Sequence, residues 1–458
     1  MSAPIVFIFL PILFAVFLLF ISKKGTLTSI LAATFCLILA LLAHFLPIDQ
    51  YFLLGSTRVQ ISAAFSILGR QLILNDGNLP ILVLMYSVGA FWFLGIRPAR
   101  APRLMAPLGL IMLALSAAAL AVRPFLYAAI ILETMVLICI PLFLAPGQPA
   151  GRGILRYLIF MTLAVPFILL AGTLAARVEA DPTQANLLNQ VVVMLAIGFS
   201  IWLAVFPFNT WVPMLFEETP PFVAGFVLSL QSTIAFMMLL GFTNEFSWLR
   251  NHPDLPLVLR AAGLVMIASA GIWAVFQKKL PRLFGYAIIV DNGMALLAFN
   301  PQDPQAMQIF AAGFLPRLLG IALISLAMAS LRRSEMELSL KGAEGFLRKD
   351  PITSLAILGG FFSLAGLPLL AEFPVRLVVF EKIAQISLAA TLWMGVGILG
   401  ILGACLQLTV SFIREDVLIS REVERDWIMI VMLILGMVML IGMGLFPSLA
   451  TGLTAPLL

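Results

Sequence analysis

The 458-residue chain is 62% hydrophobic and 11% charged, with a mean hydropathy of +1.10, whereas a soluble globular chain carries about 25% charged residues. Such a composition cannot supply a water-facing surface, so soluble enzymes and binding modules are excluded. The apolar residues come in blocks of about 17–25, the helix length that crosses a hydrocarbon core of about 30 Å. The short alternating segments of a membrane barrel do not occur. The fold class expected is all-α, a polytopic membrane protein.

The first block, Pro4–Ser22, has no basic segment ahead of it, and Lys23-Lys24 follow it. That polarity is the reverse of a cleaved signal peptide, so the block counts as a first span. Further spans are expected near 26–47, 79–96, 104–122, 125–145, 154–175, 188–208, 222–241, 256–276, 283–299, 306–331, 352–380, 387–413 and 427–447. That makes about fourteen. Between the second and third, Tyr51–Asp76 is too polar to span. Its alternation around Ser56-Thr-Arg-Val-Gln-Ile-Ser predicts a short surface hairpin. Cys36, Cys139 and Cys405 sit singly in apolar blocks, and His44 and His252 are far apart. Neither a disulfide framework nor a metal centre is indicated, and no glycine-rich nucleotide-binding motif is present. The expectation is no cofactor in this chain.

Basic residues mark the odd-numbered loops. They are Lys23 and Lys24; Arg97, Arg100 and Arg103; Arg152 and Arg156; Lys278, Lys279 and Arg282; Arg332, Arg333, Lys341, Arg348 and Lys349; and Arg414, Arg421 and Arg425. These are 18 of the 27 Lys and Arg residues, which puts the odd loops in the cytoplasm and both termini outside. The net charge of +5 is thus a topology signal and predicts no nucleic-acid partner. A basic cytoplasmic rim also suits anionic lipid.

Two spans contain breaking residues at comparable places, Phe206-Pro207-Phe208 in the seventh and Gly366-Leu367-Pro368 in the twelfth. Proline removes a backbone donor and clashes one turn back, so each span is expected to divide into half-helices. Pro207 and Pro368 are 161 residues apart, the mid-span acids Glu133 and Asp291 158, and Gln231 and Gln407 176. A period near 160 over five spans predicts two repeats, and an odd number of spans inverts the second. Inverted repeats with one discontinuous helix each are an architecture of ion-coupled transporters. The expected organisation is a three-helix segment with an external hairpin (1–103), a first five-helix repeat (104–241), an inverted second repeat (256–413) and a C-terminal helix (414–458).

Several stretches resemble the antiporter-like membrane subunits of respiratory complex I. Leu340-Lys-Gly-Ala-Glu-Gly-Phe-Leu-Arg-Lys-Asp-Pro-Ile-Thr-Ser, running into Phe362-Ser-Leu-Ala-Gly-Leu-Pro-Leu, is similar to their cytoplasmic helix and twelfth-span opening. Gly198-Phe-Ser-Ile-Trp-Leu-Ala-Val-Phe-Pro-Phe-Asn-Thr-Trp-Val-Pro resembles their seventh-span signature. Leu132-Glu-Thr-Met resembles the fifth-span glutamate motif, and Arg282-Leu-Phe-Gly-Tyr-Ala the opening of the tenth. The likeness runs over roughly residues 104–413 and fits a short N- or M-type subunit. It extends to multisubunit cation/proton antiporters and membrane-bound hydrogenases.

The resemblance implies proton translocation driven by a partner's redox reaction, in a plasma (inner) membrane complex. NADH, flavin, iron–sulfur clusters and quinone would belong to partner subunits, and other membrane-arm subunits would be the neighbours. Glu133 falls on the family's fifth-span glutamate and Arg376 on its twelfth-span basic position, with Glu372 where a glycine is usual. Trp202 stands in place of the seventh-span lysine, Asn209 in place of the histidine after the break, and Gln231-Ser232-Thr233 over the eighth-span lysine. None of these replacements exchanges a proton near neutral pH.

Buried ionisable residues in a membrane mark function by default. Glu133 is either a proton carrier or a hydrogen-bonded structural acid. Asp291 and Arg317, mid-span on consecutive helices, make either a self-contained ion pair or a relay element. Arg376 cannot release a proton and is expected to act as a fixed charge tuning Glu372, four residues away on the same helix face. Glu381 and Lys382 lie at a span end, where snorkelling accounts for them. The function expected is a membrane-arm subunit with a partly degraded channel. The alternatives are a non-conducting structural subunit of the same arm and a subunit of an antiporter or hydrogenase assembly.

Overall fold

In hydrocarbon a backbone must satisfy its own N–H and C=O groups, so apolar stretches fold as helices. The structure, a computed structural model, describes residues 2–54, 57–67, 69–144, 147, 149–180, 185–333, 337–414 and 426–454; Ser56, Arg421 and Arg425 lie outside them. A helix lies on each of the fourteen apolar stretches. Among the described residues nine are long and apolar enough to cross a membrane, by length and composition. Four shorter apolar helices are Ile5–Phe20, Met105–Ala121, Asn186–Trp202 and Pro351–Ala365. Leu280–Ala298 has the length, but Arg282, Asp291 and Asn292 interrupt its apolar run.

Several helix starts are written in local chemistry. Asp303, Ser387 and Asp426 cap their helices by accepting from the backbone N–H of Gln305, Ala390 and Ile428, relieving donors that a helix N-terminus leaves unpaired. Asp350 does the same from Thr353, with Pro351 in the first turn. The polar segment after the second helix forms two hairpins where one was expected. β1 (Tyr51–Leu54) pairs antiparallel with β2 (Thr57–Gln60), and β3 (Ala64–Ile67) with β4 (Arg70–Ile73). A short β5 (Val122–Arg123) joins β4 and ties this cap to the first half of the chain.

Pro221–Glu245 and Pro304–Arg333 form the centre of the bundle: their apolar windows are 94% and 78% buried, against 33–44% for the other long apolar helices. Close helix crossings rely on glycine. A methyl added at Gly271 or Gly397 would run into the opposing backbone where Leu255–Val275 meets Leu388–Ile413, the small-residue contact common in membranes.

Loop contacts sort into two ends. At one end Arg333 reaches Pro98 and Asp426, and Glu218 accepts from Gly153. Glu217 pairs there with Lys279 and Arg282, and Leu340 donates to Lys278. At the other, Arg70 meets Tyr127, Gln302 donates to Arg250 and His252, and Lys382 pairs with Asp303 at 2.6 Å. The first set joins odd-numbered loops and the second even-numbered ones.

Candidate functional site: a buried charge cluster beside two broken helices

Both breaks use the same helix-ending geometry. Ala185–Trp202 stops, Ala204 takes φ +60°, and Trp211–Glu218 begins after a short link. Here Val205 N–H donates to Ser200 and Ala204 N–H to Ile201. Pro351–Ala365 stops in the same way: Gly366 takes φ +79°, Leu367 N–H donates to Phe362 and Gly366 N–H to Ser363. This is the Schellman pattern, whose left-handed residue is usually glycine. The second break has glycine there, while the first puts an alanine in the disfavoured region. Pro207 and Pro368 therefore sit in real breaks, each just past a left-handed turn.

The second break opens onto the densest group of buried charge among the described residues. Phe373–Ile386 starts with Glu372 at its N-cap and carries Arg376 one turn on; the two pair at 2.7 Å. Arg376 also reaches Asp291 at 3.3 Å, on Leu280–Ala298. Asp291 pairs at 2.8 Å with Arg317, on Phe314–Arg333. All four side chains are at most 5% exposed. Gly366 is required twice over, for its positive φ and because a methyl there would come within 2.5 Å of Arg376 Cδ.

Two acids and two arginines balance formally, which is what makes burial of four charges tolerable. The arginines stay charged, so any proton exchanged here sits on Asp291 or Glu372. Asp291 holds two cations and Glu372 one, so protonating Glu372 breaks fewer ion pairs. Glu372 Oε1, Arg317 Nη1 and Arg376 Nη1 make no hydrogen bond among the described residues. A cavity of about 30 Å³, lined by the four charged residues and Phe310, adjoins them, large enough for water to bridge such atoms. Arg317 is further held by Ser232 Oγ at 2.8 Å, by Asn292 Oδ1, and by the face of Phe236 at 5.3 Å.

The first half presents no comparable cluster among the described residues. Glu133 is half-buried and accepts from Thr162 Oγ1 at 2.7 Å, a hydroxyl and not a cation. Gln231 is buried and accepts from Tyr157 at 3.0 Å, while Tyr157 meets Cys139 at 3.4 Å. Trp202 packs edge-on against Phe199, and Asn209 is buried in the link after the break. The pairing of Gln231 with Gln407 is a correction. Gln407 is exposed and lines a surface cavity with Lys278 and Glu344, because an offset of 176 is out of step with the 161 between the breaks.

Sequence reasoning named Asp291, Arg317, Glu372 and Arg376, and the structure brings them together. Glu133 lies apart. Asn292 was missed, although a polar residue beside an acid in the middle of an apolar span is a visible signal. Ser232 was read only as a lost basic position, and the structure makes it a partner of Arg317. Among the described residues no group of three or more His, Cys, Asp or Glu could hold a metal ion.

The chain is thus a bundle of apolar helices around buried compensated charge, two of them broken. The sequence matches the family of NADH:quinone oxidoreductase/Mrp antiporter transmembrane proteins over residues 178–402. It is 27% identical over 325 residues to NADH-quinone oxidoreductase subunit 14 of Thermus thermophilus, covering 68% of this chain and 70% of that one. The chain spans about half the length of subunit N relatives from other bacteria. Its fold is that of a chain in the archaeal membrane-bound sulfane sulfur reductase (TM-score 0.79, 18% identity, covering 100% of this chain and 97% of that one). It is equally that of a chain in the Mrp complex of Dietzia (TM-score 0.77, 13% identity, covering 100% and 96%).

Proposed function

We propose that the chain is a membrane-arm subunit of a complex I-like NADH-quinone oxidoreductase, contributing to redox-driven proton translocation through its second half. The observation that carries this reading is the buried Asp291–Arg317–Glu372–Arg376 network at a helix break, in a sequence related to subunits 14 and N of that enzyme. Glu372 and Asp291 take and release the proton. Arg376 and Arg317 are fixed charges that hold the acids and shift their affinity as the network rearranges. Redox chemistry, with NADH, flavin, iron–sulfur clusters and quinone, belongs to the partner subunits. All fourteen helical stretches cross the bilayer, with the five-helix repeats inverted and both termini outside.

Purification of the native complex tests the reading. Flavin- and iron–sulfur-bearing partners are expected, together with proton uptake coupled to NADH oxidation in reconstituted vesicles. Robust sodium/proton exchange by this chain alone in liposomes would overturn it in favour of an antiporter. Single cysteines in place of Gln302 and Lys341 test the orientation: the first should react only from outside and the second only from the cytoplasm.

A further inference from the structure

A helix that stops at a proline strands a carbonyl. In a continuing helix the Leu203 C=O would accept from the N–H of residue 207, but residue 207 is proline and has none. Leu203 is 1% exposed, so water does not readily serve this carbonyl, and leaving a buried acceptor without a partner is costly. The donor comes from the other half of the molecule: Asn292 Nδ2 donates to Leu203 O at 3.4 Å. The opposite end of the same amide, Oδ1, accepts from Arg317 Nη2. Asn292 is itself 5% exposed and directly follows Asp291, which holds the Arg317 guanidinium through Nε.

We infer that Asn292 is a positioning residue that couples the helix break of the first half to the charge cluster of the second. An amide suits the place because it donates at one end and accepts at the other. An ionised carboxylate could accept from Arg317 but could not serve Leu203, and an aliphatic side chain could do neither. Any turn of Arg317 toward or away from Asp291 pulls on Oδ1 and so on the Leu203 carbonyl. The break at Leu203–Phe208 therefore follows the charge state of a cluster on other helices. Ser232 holds the same guanidinium at 2.8 Å, but no hydrogen bond joins its side chain to the break: its hydroxyl donates to Leu228 and Ser229 on its own helix. It serves as the control. This gives the first half, which has no buried charge network among the described residues, a part in the cycle as a mechanical arm. The assignment rests on the cluster being the working site, yet its test needs only this chain.

A cysteine in place of Phe206, which is 54% exposed, reports on the break; the native Cys36, Cys139 and Cys405 are buried and give little background. The full chain is placed in lipid nanodiscs and the maleimide labelling rate is measured with and without Asp291→Asn. The rate should change by roughly fivefold or more, the low end of ordinary site-to-site coupling. Asn292→Leu and the near-isosteric Asn292→Asp should each abolish that response. Asn292→Gln, which keeps both ends of the amide, should restore part of it, and Ser232→Ala should leave it in place. The same response in the Asn292→Asp and Asn292→Leu backgrounds, or none with Asn292 present, would overturn the inference. Neither result would bear on which complex the chain joins.

Discussion

The two broken helices end with the same hydrogen bonds, yet their surroundings are opposite. Around the second, four charges from three helices are in direct contact and nine-tenths or more buried. Around the first, the buried polar groups Tyr157, Gln231, Asn209 and Asn292 are neutral, and the mid-span acid Glu133 rests on a threonine. A backbone break alone does not make an ion site. It frees a few backbone groups, and which side chains meet them decides whether charge can be stored there. Both halves share the broken-helix scaffold, and the second adds buried charge to it.

The largest expected effect of any change that breaks this contrast is at Asp291. Asp291→Asn leaves Arg317 and Arg376 with one acid between them in a buried site. That should cost about 3–5 kcal/mol, seen as a large fall in Tm of the purified chain. Glu133→Gln, which removes a partly buried acid whose partner is one hydroxyl and no cation, should cost about 1 kcal/mol. Equal losses would mean that the halves are not electrostatically different.

The turns themselves make a second, smaller contrast. Gly366→Ala forces a methyl against Arg376 at a left-handed position and should cost about 1–2 kcal/mol for the backbone alone, with Arg376 displaced. Ala204→Gly should run the other way, with a gain of up to about 1 kcal/mol from relief of the positive φ. Thermal unfolding of both variants checks the signs.

The smallest effect lies at the outer rim of the second half. The hydrogen bond from Lys382 comes first among the influences that hold the Asp303 carboxyl below its ordinary value. A lowered carboxylate stabilises the fold above the unfolded value, about 3.9, and that stabilisation is lost as pH falls through the folded value. Asp303 is more than a third exposed, so Lys382→Ala should cost less than about 1 kcal/mol at pH 7. The difference should vanish at strongly acidic pH. A difference that grows toward acid would reverse the sign assigned here.

Much of this is legible in the sequence. Pro207 and Pro368 betrayed the breaks because proline lacks a donor, and Asp291, Arg317, Glu372 and Arg376 stood out because charge is rare in a span. The i,i+4 spacing already put Glu372 beside Arg376. The Asp291–Arg317 pair, on consecutive spans, was readable too; pairing between helices distant in the chain was not. Arg376 meets Asp291, and Arg317 meets Ser232, each 85 positions away, because of how the helices pack, which no short-range pattern encodes. The same limit hid the threonine partner of Glu133 and led Gln407 to be matched with Gln231. Asn292 was legible as an oddity but not as a link, since its partner is a carbonyl that every residue has.

The central claim, that charge transfer resides in the second half, is tested most directly by the proton-to-electron ratio of the assembled complex. The comparison is between Glu372→Gln, Arg376→Ala, Arg376→Lys and Glu133→Gln, each measured at full assembly in reconstituted vesicles. The account predicts that Glu372→Gln and Arg376→Ala lower the ratio more than Glu133→Gln does, with Arg376→Lys tolerated because the charge is kept. If Glu133→Gln alone abolishes pumping while both twelfth-span changes are silent, the account is contradicted.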